Sequence, residues 1–229
     1  MLPILFEKEK QLCQEFNLKL IDKPYKQLHG PVIAIGGYSG VGKDTLAHGL
    51  ELLFKKRYKN DLKKVVAGTI MRKIAGKYGF DEAHLDQFVA KVKLDDDLKK
   101  NVDLEMDERT LHKTINMGKG LFIGRMAPFV IGGWGFSIWV TTDPQISARR
   151  IINDKHRPEY GKVGYEELLA KIKNRDIEDR ARLEKNYNVN LDLLIPKCDL
   201  LLDNSNSDID ETLEIAFEAT SRFYGLNGF

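Results

Sequence analysis

Residues 31–45 read Pro-Val-Ile-Ala-Ile-Gly-Gly-Tyr-Ser-Gly-Val-Gly-Lys-Asp-Thr. Pro31 to Gly36 is a short, unbroken apolar run rich in β-branched residues, the pattern of a strand buried on both faces of a parallel sheet. A glycine-rich turn follows at once, with Gly37, Gly40 and Gly42 inside six positions. From Lys43 to Arg57 the period becomes helical, with Leu46, Leu50, Leu53 and Phe54 on one face.

The same alternation continues along the chain. Val65–Ala67, Gly120–Ile123, Phe136–Thr141 and Cys198–Leu202 read as further short strands. Helical patterns occupy 3–17, 69–117, 144–154, 165–187 and 209–224. Strands separated by helices make βαβ crossovers, so the expectation is an α/β fold: a parallel sheet with helices on both faces. Residues 1–29 precede the first strong core signal and read as a helical extension packed on a main domain spanning 30–229. A polar loop over 155–164 carries Pro158, Gly161 and Gly164.

Composition narrows the class. At about 150 residues per domain, 229 residues make one domain with an appended segment. Apolar residues are 42% and charged residues 31%, ordinary for a globular chain. Lys and Arg number 36 against 34 Asp and Glu, a net charge of +2 that argues against a nucleic-acid partner. Small phosphorylated ligands stay open, because a few placed cations suffice for them. Two cysteines, Cys13 and Cys198, make no disulfide framework and fit a reducing compartment. The longest apolar neighbourhood, 120–142, is broken by Arg125, Pro128 and several glycines, so no membrane span is expected. The first ten residues charge too quickly for a secretory signal. The expected location is the cytoplasm.

Gly37 to Lys43 has the spacing G-x-x-x-x-G-K, with a strand before it and a helix after it. In that context it reads as a phosphate-binding loop; without it, the string is an ordinary glycine-rich turn. Glycines at 37, 40 and 42 let successive backbone N–H groups point inward, and the positive end of the helix dipole adds to their field. Gly37, Ser39, Gly40, Val41, Gly42, Lys43, Asp44 and Thr45 are therefore candidates to hold ATP, with Lys43 reaching the β- and γ-phosphates. A Ser or Thr usually follows the lysine to bind Mg²⁺. Here Asp44 and then Thr45 follow, and both are candidate metal ligands.

Three later segments extend the argument: Val66-Ala-Gly68-Thr-Ile-Met-Arg72, Ile123-Gly124-Arg125, and Arg175-Asp-Ile-Glu-Asp179-Arg-Ala-Arg182. Together with Gly37–Thr45 they resemble the cytidylate kinase-like family of nucleoside monophosphate kinases, most closely its short archaeal-type form. The resemblance runs from about residue 32 to 219. It implies a P-loop kinase fold with a helical acceptor insert (about 68–118) and a short lid (about 155–164). It also implies ATP and Mg²⁺ as cofactors, nucleotides as small-molecule partners, and transfer of a phosphoryl group to CMP or dCMP. By resemblance Arg175 and Arg182 neutralise the transition state, Asp179 orders the acceptor site, and Arg72 takes the acceptor phosphate. Gly68 belongs to the same acceptor segment.

The residues themselves agree with that chemistry. Arginine grips phosphate bidentately and keeps its charge. On a helix Arg175, Asp179 and Arg182 stand at i, i+4 and i+7 and share a face; the plainer reading of such a face is solvated ion pairs. Arg125 follows a buried strand and emerges at the carboxyl edge of the sheet, where open α/β folds bind ligands. Lys43, Arg125, Arg175 and Arg182 form the candidate catalytic set. Asp107 and Arg109 match part of an acidic–basic segment of the archaeal-type members, and Arg150 is a candidate for the ATP side. Each of these three, like Arg72, reads equally as a helix-surface charge.

The chain departs from the family pattern at Ile123, where an acidic residue is usual, and at Thr69 and Met71. Its Lys-Asp-Thr loop also resembles phage-type deoxynucleoside monophosphate kinases. Two further functions therefore stay open: a kinase for another small acceptor, and a nucleotide-binding protein without transfer. The five histidines show no metal-ligand spacing. Trp134 and Trp139 read as core, and 132–135 as a turn.

Overall fold

The computed structural model describes residues 3–19, 23–81, 84–154 and 163–226. Ten α-helices and five strands follow one another among them. They are α1 (Pro3–Glu15), β1 (Val32–Gly37), α2 (Lys43–Tyr58), β2 (Lys64–Val66), α3 (Ala67–Lys77), α4 (Leu85–Leu94), α5 (Asp96–Met117) and β3 (Gly120–Ile123). Then come α6 (Ala127–Ile131), β4 (Phe136–Thr141), α7 (Pro144–Ile152), α8 (Tyr165–Tyr187), α9 (Leu191–Leu194), β5 (Leu200–Asp203) and α10 (Ile209–Phe223). The strands form one parallel sheet in the order β2-β3-β1-β4-β5. The expected lid lies outside the described residues except for Val163 and Gly164.

β1 is central and buried along its whole length, which explains its unbroken apolar run. Its side chains alternate between two cores. Ala34, with Phe122 of β3 and Trp139 of β4, faces a layer built from α1, α5, α6, α8 and α9. Ile33 and Ile35, with Leu121, Ile123, Ile138 and Val140, face α2 and α10. A third, smaller core joins α3, α4 and α5 through Ile70, Ile74, Phe88, Val92 and Val102.

α1 contributes directly to the central layer. Leu12 and Cys13 are buried beside Leu111, Ile115 and Trp134. Glu9 is 1% exposed and accepts a 2.6 Å hydrogen bond from the Trp134 indole. Burial raises the Glu9 carboxyl above the ordinary range, against the pull of that bond. The helix stops at Glu15, two residues short of the expected end. Asn17 is left-handed, and Leu18 N–H donates back to the Cys13 carbonyl at 2.7 Å, closing the turn.

The stretch 69–117 is three helices. Gly79, with φ of +80°, follows the end of α3, and Asp95 caps α5 by accepting from Leu98 N–H at 2.9 Å. β2 ends at Val66, so Ala67 opens α3 rather than closing a strand. Among the described residues no helix is long and apolar enough to cross a membrane.

Candidate active site

The loop between β1 and α2 takes backbone angles that only glycine adopts freely. Gly37, Gly40 and Gly42 have φ of +135°, +78° and +88°. Space is tight as well: a Cβ at Gly37 would stand 2.3 Å from the Val140 carbonyl oxygen, and one at Gly40 2.9 Å from Ile151 Cδ1. We expect Gly37→Ala to destabilise the fold by about 3 kcal/mol or more, from strain and overpacking together. Urea denaturation measures this, and an unchanged midpoint would refute it.

α2 begins without a side-chain cap. Its first backbone N–H groups are orphan donors at the positive end of the helix, the arrangement that receives an anion. Lys43 lies at the first helical position and donates to the Tyr38 carbonyl at 2.5 Å, across the mouth of the loop. Asp44 and Thr45 are exposed in the first turn. Val41 is buried, and its carbonyl accepts from the Asn204 side chain at 2.9 Å, which pins the loop to the chain leaving β5. Arg150 on α7 completes that anchor, donating to Asn204 Oδ1 at 2.9 Å and to the Asn204 carbonyl at 3.0 Å. Its guanidinium therefore stands at the loop's flank.

A row of charges starts at the loop and crosses α8 to α5. Arg125, just beyond β3, donates to Ser39 Oγ at 2.7 Å and pairs with Asp179 Oδ2 on α8. The other Asp179 oxygen lies 3.5 Å from Arg182. Arg182 also donates to Asp103 on α5 at 3.1 Å, and Asn186 donates to the second Asp103 oxygen at 3.1 Å. The Arg125 and Asp179 side chains are 16% and 10% exposed, so the pair is largely desolvated. Burial draws the Arg125 guanidinium down from its ordinary value, and Asp179 opposes the shift. At Arg182 burial pulls down too, but Asp103, Asp179 and Asp107 outweigh it and the pKa rises.

Beside this row lies a second acidic layer. Asp107 accepts a hydrogen bond from Tyr187 at the end of α8. Burial pushes the Asp107 carboxyl from 3.8 up to about 7, against that bond and Arg182. Asp176 rises to about 6 for the same first reason, and its Oδ1 is buried without a hydrogen-bond partner. A folded pKa above the unfolded one means the folded state binds more protons between the two values. Stability supplied through Asp107 is then greatest below pH 3.8 and falls as pH rises to about 7. We expect Asp107→Asn to gain melting temperature relative to the parent as pH is raised from 5 to 8. A pH-independent difference would refute the assignment.

The structure brings together Lys43, Ser39, Arg125, Asp179 and Arg182, with Asp107 behind them. Arg175 is exposed one turn before Asp179 on the same helix. It stands apart from the hydrogen-bonded row, although its charge acts on Arg125. Arg109 turns away to an ion pair with Glu105 at 2.6 Å, a carboxylate shared with Lys77 of α3. Gly68 is exposed in the first turn of α3 and Arg72 at its middle. Ile123, where the resemblance leads one to expect an acid, is 3% exposed and packed in the α2-facing core. Sequence reasoning did not select Asp103, Asn186 or Asn204. Asp103 is one of several acids on a highly charged helix, and only the approach of α8 singles it out.

One cavity lies away from these elements and another lies beside them. The larger, about 580 Å³, is lined by Phe129, Ser137, Cys198, Asp199 and Phe223 at the amino edge of the sheet, the end opposite the phosphate loop. The smaller, about 180 Å³, lies between α5 and α8 and includes Arg182 and Asn186 in its wall. It adjoins the arginine row at Arg182, and the exposed Asp96–Lys185 pair also lines it.

No family model matches the chain. A cytidylate kinase from Pyrobaculum calidifontis is 24% identical over 188 residues, covering 82% of this chain and 91% of that protein. Among solved structures, an uncharacterized protein from Eubacterium ventriosum aligns with a TM-score of 0.57 at 14% identity, over 84% of this chain and 99% of that one. A shikimate kinase from Bacteroides thetaiotaomicron aligns with a TM-score of 0.56 at 14% identity, over 82% and 97%. The chain is built on the α/β fold of P-loop kinases, its phosphate loop and arginine row both at the carboxyl edge of the sheet.

Proposed function

We propose that the protein transfers the γ-phosphoryl group of ATP to a nucleoside monophosphate, CMP or dCMP, giving ADP and the diphosphate. One observation carries this reading: Arg125 bonds Ser39 in the phosphate loop and shares the Asp179 carboxylate with Arg182. Cations that stabilise charge on a transferring phosphoryl group thus stand next to the loop that would hold it. The acceptor class draws support from the sequence resemblance and from the relative named a cytidylate kinase.

Phosphoryl transfer asks a protein for positioning and charge neutralisation more than for covalent chemistry. The orphan N–H groups of 37–45 would bind the phosphate chain of ATP, and Lys43 would leave the Tyr38 carbonyl for the β- and γ-phosphates. Among the described residues no three His, Cys, Asp or Glu side chains gather into a metal cage. Mg²⁺ commonly takes only one or two protein oxygens and completes its shell with phosphate and water, so exposed Asp44 and Thr45 fit it. When bound, the ion neutralises phosphate charge. An acceptor phosphate oxygen attacks the γ-phosphorus in line, the bond to the bridging oxygen breaks, and ADP leaves. Arg125 and Arg182 exchange Asp179 for the equatorial oxygens, and Arg175 joins them from its exposed turn. Residues 68–118 serve as the acceptor insert, and the reaction runs in the cytoplasm.

A second reading has its own observation. Buried Ile123 supplies no carboxylate beside the loop, which suits a protein that binds nucleotide without transfer. An ADP-release assay with MgATP and CMP, dCMP, UMP, AMP, GMP and dTMP separates the two. Turnover on CMP or dCMP, lost in Lys43→Ala, is the expected result. Turnover on a different monophosphate replaces the acceptor. ATP binding without transfer to any of the six overturns the kinase reading for nucleoside monophosphates.

A further inference from the structure

We propose that Asp103 of α5, together with Asn186, is the positioning residue that holds Arg182 toward the phosphate site and so ties the helical insert to the arginine row. The role in turnover rests on the phosphotransferase reading; the effect on Arg182 does not.

Arg182 has a long side chain with many rotamers to lose when it is held in one place. Asp179 faces it at only 3.5 Å and already pairs with Arg125 through its other oxygen. Asp103 supplies the closer bond, at 3.1 Å, from a different helix. Its side chain is 12% exposed, and its second oxygen is held by Asn186 at 3.1 Å. Both carboxylate oxygens are thereby fixed, and the guanidinium is clamped between α5 and α8. Burial raises the Asp103 carboxyl while Arg182 and Lys99 oppose the rise, so the clamp is a desolvated charge pair rather than a surface contact. Once a phosphate draws Arg125 away from Asp179, Asp103 still fixes where Arg182 stands. A guanidinium displaced by about 1 Å costs on the order of a hundredfold in rate.

The same two helices offer a control. Asp96 of α5 pairs with Lys185 of α8 at 2.7 Å, but the side chains are 74% and 61% exposed. Asp96→Asn removes an α5–α8 ion pair without touching Arg182.

The test compares the parent with Asp103→Asn, Asp103→Glu and Asp96→Asn. Two readouts are taken: nitrogen-15 NMR of the arginine side chains in the ligand-free protein, and steady-state kinetics on the best monophosphate. Asp103→Asn is expected to broaden or shift the Arg182 Nε–H signal and leave that of Arg125 in place. It lowers kcat by about tenfold to a hundredfold and leaves the KM for ATP within about twofold. Asp103→Glu, which keeps the charge, recovers part of both effects, and Asp96→Asn matches the parent. An Arg182 signal unmoved in Asp103→Asn overturns the proposal. So does a moved signal with unchanged kcat, or an equal loss in Asp96→Asn. If the parent transfers phosphate to no acceptor, the kinase reading fails, and the NMR comparison still decides whether Asp103 positions Arg182.

Discussion

Lys43→Ala is expected to lower kcat on the best monophosphate by about a thousandfold while the protein still binds ATP. The ammonium is a mobile point charge at the mouth of a loop whose other contacts to phosphate are backbone N–H groups. Those N–H groups survive the substitution, so the phosphate chain keeps most of its cradle in the ground state. What is lost is a cation placed where charge builds up on the bridging oxygen during transfer. Removing one preorganised donor from such a position costs about a hundredfold to a thousandfold, and a full charge stands at the upper end. Stability should hardly move. Lys43 is half-buried and bonds the Tyr38 carbonyl, an acceptor that water can serve once the side chain is gone. A melting temperature within about 2 °C of the parent, read beside the kinetics, separates lost chemistry from lost fold. Turnover within tenfold of the parent would remove Lys43 from the mechanism.

Much of this site was legible because its chemistry is local in sequence. The phosphate loop needs three glycines and a lysine within a dozen residues, between a strand and a helix. Both flanking elements are strongly periodic, so the loop could be placed before any tertiary contact was known. Arg125 could be placed for a related reason: it follows a buried strand, and parallel strands all end at one edge. Arg175 and Arg182 of α8 share a face by helical geometry alone. The rest depends on how separate elements approach. α6 is buried at all five positions and has no amphipathic signal to read. Asp103 differs from Asp95 and Asp97 because α8 crosses near it, and from Asp96 because it meets buried Arg182 and Asn186 where Asp96 meets exposed Lys185. Arg109 resembles a ligand-binding arginine in sequence, yet α3 brings Lys77 to the same Glu105, and the three close on one another. Glu9 reads as one more charge on an extension, but Trp134, 125 positions later, takes it into the core.

Arg125→Met should separate catalysis from folding in the opposite proportion to Asp179→Asn. Arg125 makes two contacts, to Ser39 in the loop and to Asp179. Methionine fills a similar volume and leaves the Asp179 carboxylate buried with Arg182 at 3.5 Å as its remaining cation. Breaking one side of a buried pair usually costs about 3–5 kcal/mol, and the surviving partner should hold this loss to about 2–3 kcal/mol. Turnover should fall by about a thousandfold, the lower end of what an arginine contributes to phosphoryl transfer, with ATP binding little changed. Asp179→Asn instead removes the one negative charge shared by two guanidiniums. Arg125 then keeps only the neutral Ser39 hydroxyl and an amide, in a site that is 16% exposed. Its stability loss should exceed that of Arg125→Met, while both arginines remain available to phosphate and part of the turnover survives. Urea denaturation and steady-state kinetics on the two variants give the comparison. If Arg125→Met keeps its turnover, Arg125 takes no part in the reaction; if Asp179→Asn proves the more stable and the less active of the two, the carboxylate has a role in the reaction that outweighs its hold on the arginines.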